Sequence, residues 1–259
     1  MQTYKLKIEY NGARYGGWQI QKNVKTVQGI LVDKIKSIIN DNNIDLQGAG
    51  RTDRGVHALE QVASLKLKKF INSIELKNKL NHLLPKDINI LSVEKVDENF
   101  HARKNVEERS YLYQISFRKT AFVKDFVWWI KEELDFDLMK LAAKEYLGVK
   151  DYRSFCDADP EEKSTKVFVK DTELYLSENL LTIRIIASHF LWKMARRMIG
   201  CLVEVGKKNL SIDELSSYFL VESDKPAKFT APPSGLFLEK ILYKGEKYDY
   251  PKEAILKLL

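Results

Sequence analysis

The chain has 259 residues, of which 44% are hydrophobic, and its 43 Lys and Arg outnumber its 36 Asp and Glu for a formal net charge of +7. A chain of this length can bury a sizeable core in one large domain or in two. Its apolar runs fall short of the roughly 18 residues that a membrane helix needs, so we expect no membrane span. The basic excess suits a polyanionic partner, although many basic proteins carry only a solvated lysine surface.

Cysteine and histidine are too sparse to suggest a metal or disulfide framework. Cys156 and Cys201 cannot form a zinc ribbon, and the four histidines show no ligand spacing. We therefore expect no metal. Residues 1–10 lack the apolar core of a signal peptide and already alternate like a strand, which predicts a cytoplasmic protein.

The first hundred residues follow a β-α-β-β-α-β pattern. Alternation of apolar and polar residues marks the strands, and a 3.6-residue apolar period behind a capping residue marks the helices. The predicted elements are a strand at 4–10, a helix capped by Thr26 and ending near Asn40, a short strand at 44–46, a strand through 63–67, a helix capped by Ser73 and closed by Pro85, and a strand at 88–96. The apolar face predicted for the second helix consists of Ile74, Leu76, Leu80 and Leu83.

The second half repeats this order without visible sequence identity. The predicted elements are an aromatic strand at 110–117, extended structure at 118–134, a helix capped by Asp135 or Asp137 and ended by Gly148, a hairpin of 166–176 with 180–187, a helix at 190–206, a helix started by Ser211 and a strand at 235–243. The β-α-β-β-α-β order is that of the split βαβ fold.

The predicted fold class is therefore α+β, with two ferredoxin-like halves whose mainly antiparallel sheets lie side by side around a central basic cleft. We expect an N-terminal domain at 1–105, which carries the loop around Asp53, and a C-terminal domain at 106–259.

The loop around Asp53 is the main candidate for a catalytic site. It places one carboxylate between Arg51 and Arg54 within the glycine-flanked stretch 48–58. A dinucleotide fingerprint would need glycine at position 53, and a P-loop would need lysine at position 56, so neither motif fits. An aspartate near glycine is usually a turn residue that bonds its own backbone. The alternative is a nucleophile that neighbouring guanidinium groups hold in its ionised form.

The stretch Gly50–Ala58 resembles the signature of the tRNA pseudouridine synthase A family. Further blocks resemble this family in the same order, and together they span nearly the whole chain: 10–21 with 26–28, 100–103, 109–113, 190–200 and 235–238. The chain departs from the pattern at Arg54, where many relatives carry alanine, and this leaves the role of Arg54 open.

The resemblance implies a cofactor-free enzyme that isomerises uridine to pseudouridine in tRNA, at positions 38 to 40 of the anticodon stem-loop, and that works as a homodimer. Asp53 would be the nucleophile, as a carboxylate is in retaining glycosidases. Whether it attacks C1′ of the ribose or the base stays open. Because a stacked uridine is unreachable, the enzyme must flip it out of the helix.

The resemblance also assigns roles to three residues around Asp53. Tyr111 would pack on the target base and help to move a proton at C5, Arg51 would act in base flipping, and Arg196 would pair with the catalytic aspartate. By pattern alone Tyr111 is equally a core residue, and Tyr113 on the same strand face is predicted to be core.

Several cations are candidates for contacts with RNA phosphates, which position RNA rather than read it. They are Arg14, Arg103, Lys193 and Arg197, with Lys66, Lys68, Lys207 and Lys208. Within helix 190–206, Lys193, Arg196, Arg197 and Gly200 are predicted to form a polar face, and the mid-helix glycine predicts a close approach there. Tyr15 and Trp18 either stack on RNA or lie buried under the first sheet.

Two other functions remain open. The first is a structured-RNA-binding protein that has lost turnover, against which the presence of Asp53, Tyr111 and Arg196 argues. The second is an N-glycosidase that releases free uracil.

Overall fold

The computed structural model describes residues 1–159 and 163–252. Its strands are β1 (Gln2–Tyr10), β2 (Asp45–Gly48), β3 (His57–Leu67), β4 (Ile88–Val96), β5 (Val106–Ser116), β6 (Trp128–Trp129), β7 (Gly148–Asp151), β8 (Lys166–Ser177), β9 (Leu180–Ala187) and β10 (Leu236–Tyr243). Its helices are α1 (Val27–Ile39), α2 (Ser73–Leu83), α3 (Phe136–Ala143), α4 (Met194–Gly206), α5 (Ile212–Ser217) and α6 (Lys225–Lys228). Across these described ranges, every helix is too short or too polar to cross a bilayer.

The chain forms two compact units. The first comprises Met1–Glu107 and Phe237–Lys247, and the second comprises the described residues of Glu108–Leu236 together with those from Tyr248 onward. The domain limits 1–105 and 106–259 stay a prediction. The first change of unit falls two residues beyond the predicted limit, and the return of 237–247 to the first unit was not predicted.

The sheet of the first unit has the split βαβ order that the sequence predicts. Strand β1 pairs antiparallel with β4 on one edge and with β3 on the other, and β2 pairs antiparallel with the far edge of β3. Strand β10 lies parallel to β3, where Phe237 is opposite His57. In β1 the alternate residues Tyr4, Leu6 and Ile8 are completely buried, which accounts for the apolar period of this segment.

The helix caps of the first unit are partly as predicted. The Thr26 side chain caps α1 by accepting a hydrogen bond from the Gly29 N–H, and α1 ends at Asn40 in a left-handed conformation. The prediction that Ser73 caps α2 is wrong, because the Asn72 side chain accepts from the N–H groups of Ile74 and Glu75 and Ser73 is the first helical residue.

The predicted apolar face of α2 is only half correct. Leu76 and Leu80 are buried, whereas Ile74 is 71% exposed and Leu83 is 41% exposed. Ile74 lies in the first turn and Leu83 is the last residue of the helix. The two central leucines therefore supply the burial that fixes α2 on the sheet.

The second unit has a corresponding antiparallel sheet in the order β5-β9-β8-β7. The predicted hairpin is confirmed: Ser177 pairs with Leu180, and the turn has Glu178 in the left-handed region. In the segment 118–134, only Trp128 and Trp129 form a strand, which pairs in parallel with the end of β5.

Asp135, rather than Asp137, caps α3 by accepting from the Leu138 N–H. The helix ends at Ala143 and continues as a 3₁₀ turn through Tyr146. Gly148 then adopts φ +90°, a conformation that side chains disfavour. The predicted stop at Gly148 is therefore confirmed, although the last turn is not α-helical.

Helix α4 differs most from its prediction. It begins at Met194, not at Phe190, because Lys193 adopts φ 64° and cannot continue a helix. Arg197 and Gly200 are buried and Lys193 and Arg196 are half-buried, so the predicted polar face is only partly open to solvent. The close approach at Gly200 is confirmed, since a Cβ there would lie 1.5 Å from the Phe229 carbonyl oxygen.

Candidate active site

The Asp53 loop joins β2 to β3, as the sequence predicts, and the segment after β1 holds it in place. The Trp18 N–H donates to the Thr52 carbonyl over 3.1 Å, and the Gly55 N–H donates to the Tyr15 carbonyl over 3.3 Å. The Val56 N–H closes a turn onto the Asp53 carbonyl over 3.1 Å. Backbone groups on both sides therefore set the course of the loop.

Two glycines allow this close backbone packing. A Cβ at Gly12 would lie 1.9 Å from the Val56 carbonyl oxygen. A Cβ at Gly17 would lie 2.4 Å from the Thr52 carbonyl oxygen, and Gly17 has φ +94°. Any larger residue at these positions would push the loop away.

Buried polar contacts fix the underside of the loop. The Tyr10 and Thr52 hydroxyls lie 2.9 Å apart, and the Gln61 amide donates to the Gly50 carbonyl over 2.9 Å. His57 accepts from the Gly12 N–H over 3.0 Å and stacks on Phe237. Thr52 is consequently buried, while the neighbouring Asp53 is half-buried and Arg51 and Arg54 are exposed. The arrangement presents one carboxylate at the surface of the first unit on a rigid base.

Tyr15 and Trp18 are buried beneath this loop rather than available to RNA. The Tyr15 hydroxyl donates to Asp87 over 2.5 Å, and burial raises the pKa of Tyr15, with Asp87 adding to the shift. The open choice between stacking and burial is thus resolved in favour of burial.

Tyr10→Phe should weaken the base of the loop without touching Asp53. Because the change leaves the buried Thr52 hydroxyl without this partner, we expect the unfolding free energy to fall by about 1 to 2 kcal/mol at pH 7. Urea unfolding of both proteins measures the difference.

The same pair of proteins has a pH signature. Burial raises the pKa of Tyr10 to about 12, against hydrogen bonds with Thr52 and Gln61 that lower it. A pKa raised in the folded state gives stability that is complete below pH ~10 and is lost as pH rises toward the folded value. The difference in unfolding free energy between the wild type and Tyr10→Phe should therefore shrink between pH 10 and about 12. A difference that stays constant over this range would contradict a raised pKa of Tyr10.

Tyr111 and Tyr113 lie on one face of β5 in the second unit, and both are buried. Phe190 packs edge-on against Tyr111 with a centroid distance of 4.7 Å. The Tyr113 hydroxyl donates to the Pro232 carbonyl over 2.9 Å, and burial raises its pKa, against a lowering by the charge of Arg196. The core role predicted for Tyr113 is confirmed.

Arg196 lies in the first turn of α4 and is half-buried. Its Nε donates to the Ala231 carbonyl over 2.7 Å, and its own carbonyl accepts from the Ala231 N–H over 3.0 Å. This double link to one residue sets the direction of the guanidinium group.

Lys193 and Arg197 converge on one carboxylate that the sequence did not single out. Lys193 Nζ lies 2.5 Å from Asp157, and the buried Arg197 guanidinium pairs with the same side chain. The positive charges lower the pKa of Asp157 against a burial effect that raises it. The RNA-binding role of Lys193 and Arg197 stays a prediction.

The other predicted phosphate-binding residues are spread over both units. Arg14, Arg103 and Lys68 are exposed and Lys66 is half-buried. Lys207 pairs with Glu204 and Lys208 pairs with Asp135. Within residues 1–159 and 163–252, no group of three or more His, Cys, Asp or Glu side chains is arranged to hold a metal ion.

Sequence reasoning did not identify Phe190, His57 or Asp157 as parts of these sites. The signal for Phe190 was available, because it opens a block that resembles the family. His57 also lies in such a block, at 50–58, whereas Asp157 acts through a partner 40 positions away, which no local pattern shows.

The chain matches known proteins over most of its length. The sequence profile described as tRNA pseudouridine synthase matches residues 7–103 and 142–244. The tRNA pseudouridine synthase A of Dictyoglomus thermophilum is 40% identical over 247 residues, covering 94% of this chain and 100% of that protein. The protein of the same name from Aquifex aeolicus is 35% identical, covering 93% and 100%.

Solved structures are more distant. A Cbf5–Nop10–Gar1 complex aligns with a TM-score of 0.36 and 11% identity over 77% of this chain and 54% of that chain, and we draw nothing from a similarity of this size. The two sequence relatives instead match at 35 to 40% identity and cover 93 to 94% of this chain. This chain therefore belongs to the tRNA pseudouridine synthase A family.

Proposed function

We infer that this chain isomerises uridine to pseudouridine in tRNA. The observation that carries the inference is the Asp53 loop, in which the family's signature residues stand on a backbone that Gly12, Gly17 and the buried Thr52 fix in place. A carboxylate positioned by a fixed backbone suits nucleophilic chemistry. The relatives' common name supports tRNA as the substrate.

Asp53 is the nucleophile in this proposal. The N1–C1′ bond of uridine breaks, the uracil rotates, and a C5–C1′ bond forms while C5 loses a proton and N1 gains one. Bond cleavage gives C1′ oxocarbenium character, which a carboxylate can trap or stabilise. The overall reaction is balanced without an oxidant, a reductant or an added group.

Tyr111 is the residue proposed to lie against the target base and to assist the proton transfer at C5. Its competitor on the same strand face is Tyr113, whose hydroxyl is committed to the Pro232 carbonyl. Phe190 holds the Tyr111 ring by its edge. A ring fixed in this way can replace the stacking that a flipped base loses.

Arg196 is proposed, from the family resemblance, as the cation that pairs with Asp53, and Arg51 as the residue that acts in flipping. The link from Arg196 Nε to Ala231 supports a defined guanidinium direction. An arginine held in this manner loses less entropy when it pairs with a carboxylate.

RNA backbone contacts complete the proposal. Arg14 and Arg103 are the exposed candidates in the first unit, and the half-buried Lys193 and the buried Arg197 are the candidates in the second. The target positions 38 to 40, the homodimer and the cytoplasmic location are likewise proposed from the resemblance alone.

The purified chain should convert uridine to pseudouridine in tRNA transcripts that carry uridine at positions 38, 39 or 40. Carbodiimide-dependent reverse-transcription stops locate the product, and chromatography of the supernatant measures free uracil. Stops without free uracil support the proposal. Binding without stops would favour an inactive RNA-binding protein, and release of uracil would favour an N-glycosidase.

A further inference from the structure

Trp192 is an unusual surface residue. Its side chain is 50% exposed, and Lys193 Nζ lies 5.3 Å from the centroid of its ring. Tryptophan offers the largest apolar area of any side chain, so folding alone favours its burial. The half-exposed indole offers an apolar face on which a nucleobase could stack.

The backbone around Trp192 is fixed. The Asp157 N–H donates to the Trp192 carbonyl over 3.1 Å, and the Met194 N–H donates to the Leu191 carbonyl over 3.1 Å. Lys193 holds φ 64°, and Asp157 pairs with the Lys193 side chain. Leu191 is buried, which anchors the turn from below. The exposed indole is therefore carried on a rigid turn and not on a loose loop.

The same turn carries Phe190, which packs on Tyr111. Two residues of chain span at most about 7 Å, so the Trp192 backbone lies no farther than that from the backbone of Phe190. Tyr111 is the residue proposed to contact the target base. A nucleotide next to that base in the RNA would approach the surface where Trp192 stands.

Base flipping gives a reason for a nucleobase to bind at Trp192. When a uridine leaves the helix, the neighbouring base loses a stacking partner, which costs a few kcal/mol. Aromatic side chains stack on bases of any sequence, and a lysine beside the ring suits the adjoining phosphate. We propose that Trp192 stacks on the nucleobase adjacent to the flipped uridine and thereby stabilises the open RNA. This inference rests on the proposed function.

Trp129 provides a matched control. It is 42% exposed, and Lys119 Nζ lies 5.4 Å from its ring centroid, so the two tryptophans share exposure and a neighbouring cation. Trp129 is on β6 opposite Ser116, five positions along β5 from Tyr111. If Trp192 stacks near the target base, its replacement should weaken tRNA binding, and replacement of Trp129 should not.

The experiment measures the Kd of a fluorescent tRNA transcript, and single-turnover pseudouridine formation, for the wild type and the variants Trp192→Leu, Trp192→Phe and Trp129→Leu. Trp192→Leu should weaken binding roughly 5- to 100-fold, the range of one stacked base. Trp192→Phe should retain most of the affinity, and Trp129→Leu should bind as the wild type does. Equal urea midpoints confirm that each variant is folded.

Tryptophan fluorescence gives a direct readout. In the Trp129→Leu variant, the part of the fluorescence that comes from Trp192 is the part that a further Trp192→Phe change removes. Binding of tRNA should quench this Trp192 fluorescence. Wild-type affinity in Trp192→Leu, an equal loss in Trp192→Phe, or an unquenched Trp192 would each overturn the proposal. If the wild type makes pseudouridine while Trp192→Leu binds normally, only this inference fails; if the wild type neither binds nor modifies tRNA, the proposed function fails and takes this inference with it.

Discussion

Asp53→Ala should abolish pseudouridine formation while tRNA binding survives. Removal of a catalytic nucleophile typically lowers turnover by roughly 10⁴-fold or more. The Asp53 side chain is only half-buried, and the loop is held by backbone bonds to Thr52, Gly55 and Val56, so the fold should persist. Single-turnover assays on a tRNA transcript measure the rate, and filter binding measures the Kd.

Asp53→Asn serves as the stricter comparison, since it keeps the size of the side chain and removes only its charge. A neutral amide cannot stabilise positive charge at C1′, so this variant should be as inactive as Asp53→Ala. Arg54→Ala is the control in the same loop and should retain activity, because Arg54 is exposed and the family resemblance assigns it no part in the reaction. Modification by either Asp53 variant at more than a hundredth of the wild-type rate would rule out the nucleophile.

Gly17→Ala should have the second largest effect, because it displaces the Asp53 loop. The new Cβ would lie 2.4 Å from the Thr52 carbonyl oxygen, where no heavy atom can remain. The loop must shift by about an ångström, and misplacement of a catalytic group by that amount can cost about 100-fold in rate. We expect the loss to appear in kcat and a smaller change in the Kd for tRNA.

Gly148→Ala is the matched control for backbone strain. Gly148 has φ +90° against +94° for Gly17, yet a Cβ there would meet nothing within 4 Å. Both variants pay the cost of a left-handed conformation, about 1 to 2 kcal/mol. Urea unfolding should show this cost in both proteins, and only Gly17→Ala should lose activity. Equal activity losses would mean that strain, and not the position of the Asp53 loop, is responsible.

Local signals predicted the parts of the fold that local physics decides. Thr26 and Asp135 are capping residues in front of apolar periods, and both cap helices. The limits Ile88 and Val96 of β4 are as predicted, because clear alternation and flanking polar residues bound the strand. Where two possible capping residues are adjacent, as at Asn72 and Ser73, the sequence pattern does not show which one is the cap. In the structure it is Asn72.

The start of α4 shows why the rest could not be predicted. Phe190 to Lys193 continue the apolar and basic period of the helix, and only the left-handed backbone at Lys193 reveals the turn. The burial of Arg197 depends on Asp157, forty positions earlier, and that of Gly200 depends on the segment at Phe229. Such contacts arise from tertiary packing, which a single sequence does not display.

The candidate site follows the same division. The resemblance assigns roles to Asp53, Tyr111 and Arg196, and the structure describes their surroundings. Gly12 and Gly17 hold the loop, Phe190 packs on Tyr111, and Ala231 orients Arg196. The exposed turn at Trp192 was not predicted, because the apolar and basic period assigns these residues to a helix.

The most direct test is to map pseudouridine across total tRNA from cells that lack this gene, with the wild-type or the Asp53→Ala gene restored. We expect pseudouridine at positions 38 to 40 to disappear in the deletion, to return with the wild type and to stay absent with Asp53→Ala. Pseudouridine that persists at these positions in the deletion, or that returns with Asp53→Ala, would contradict the central claim.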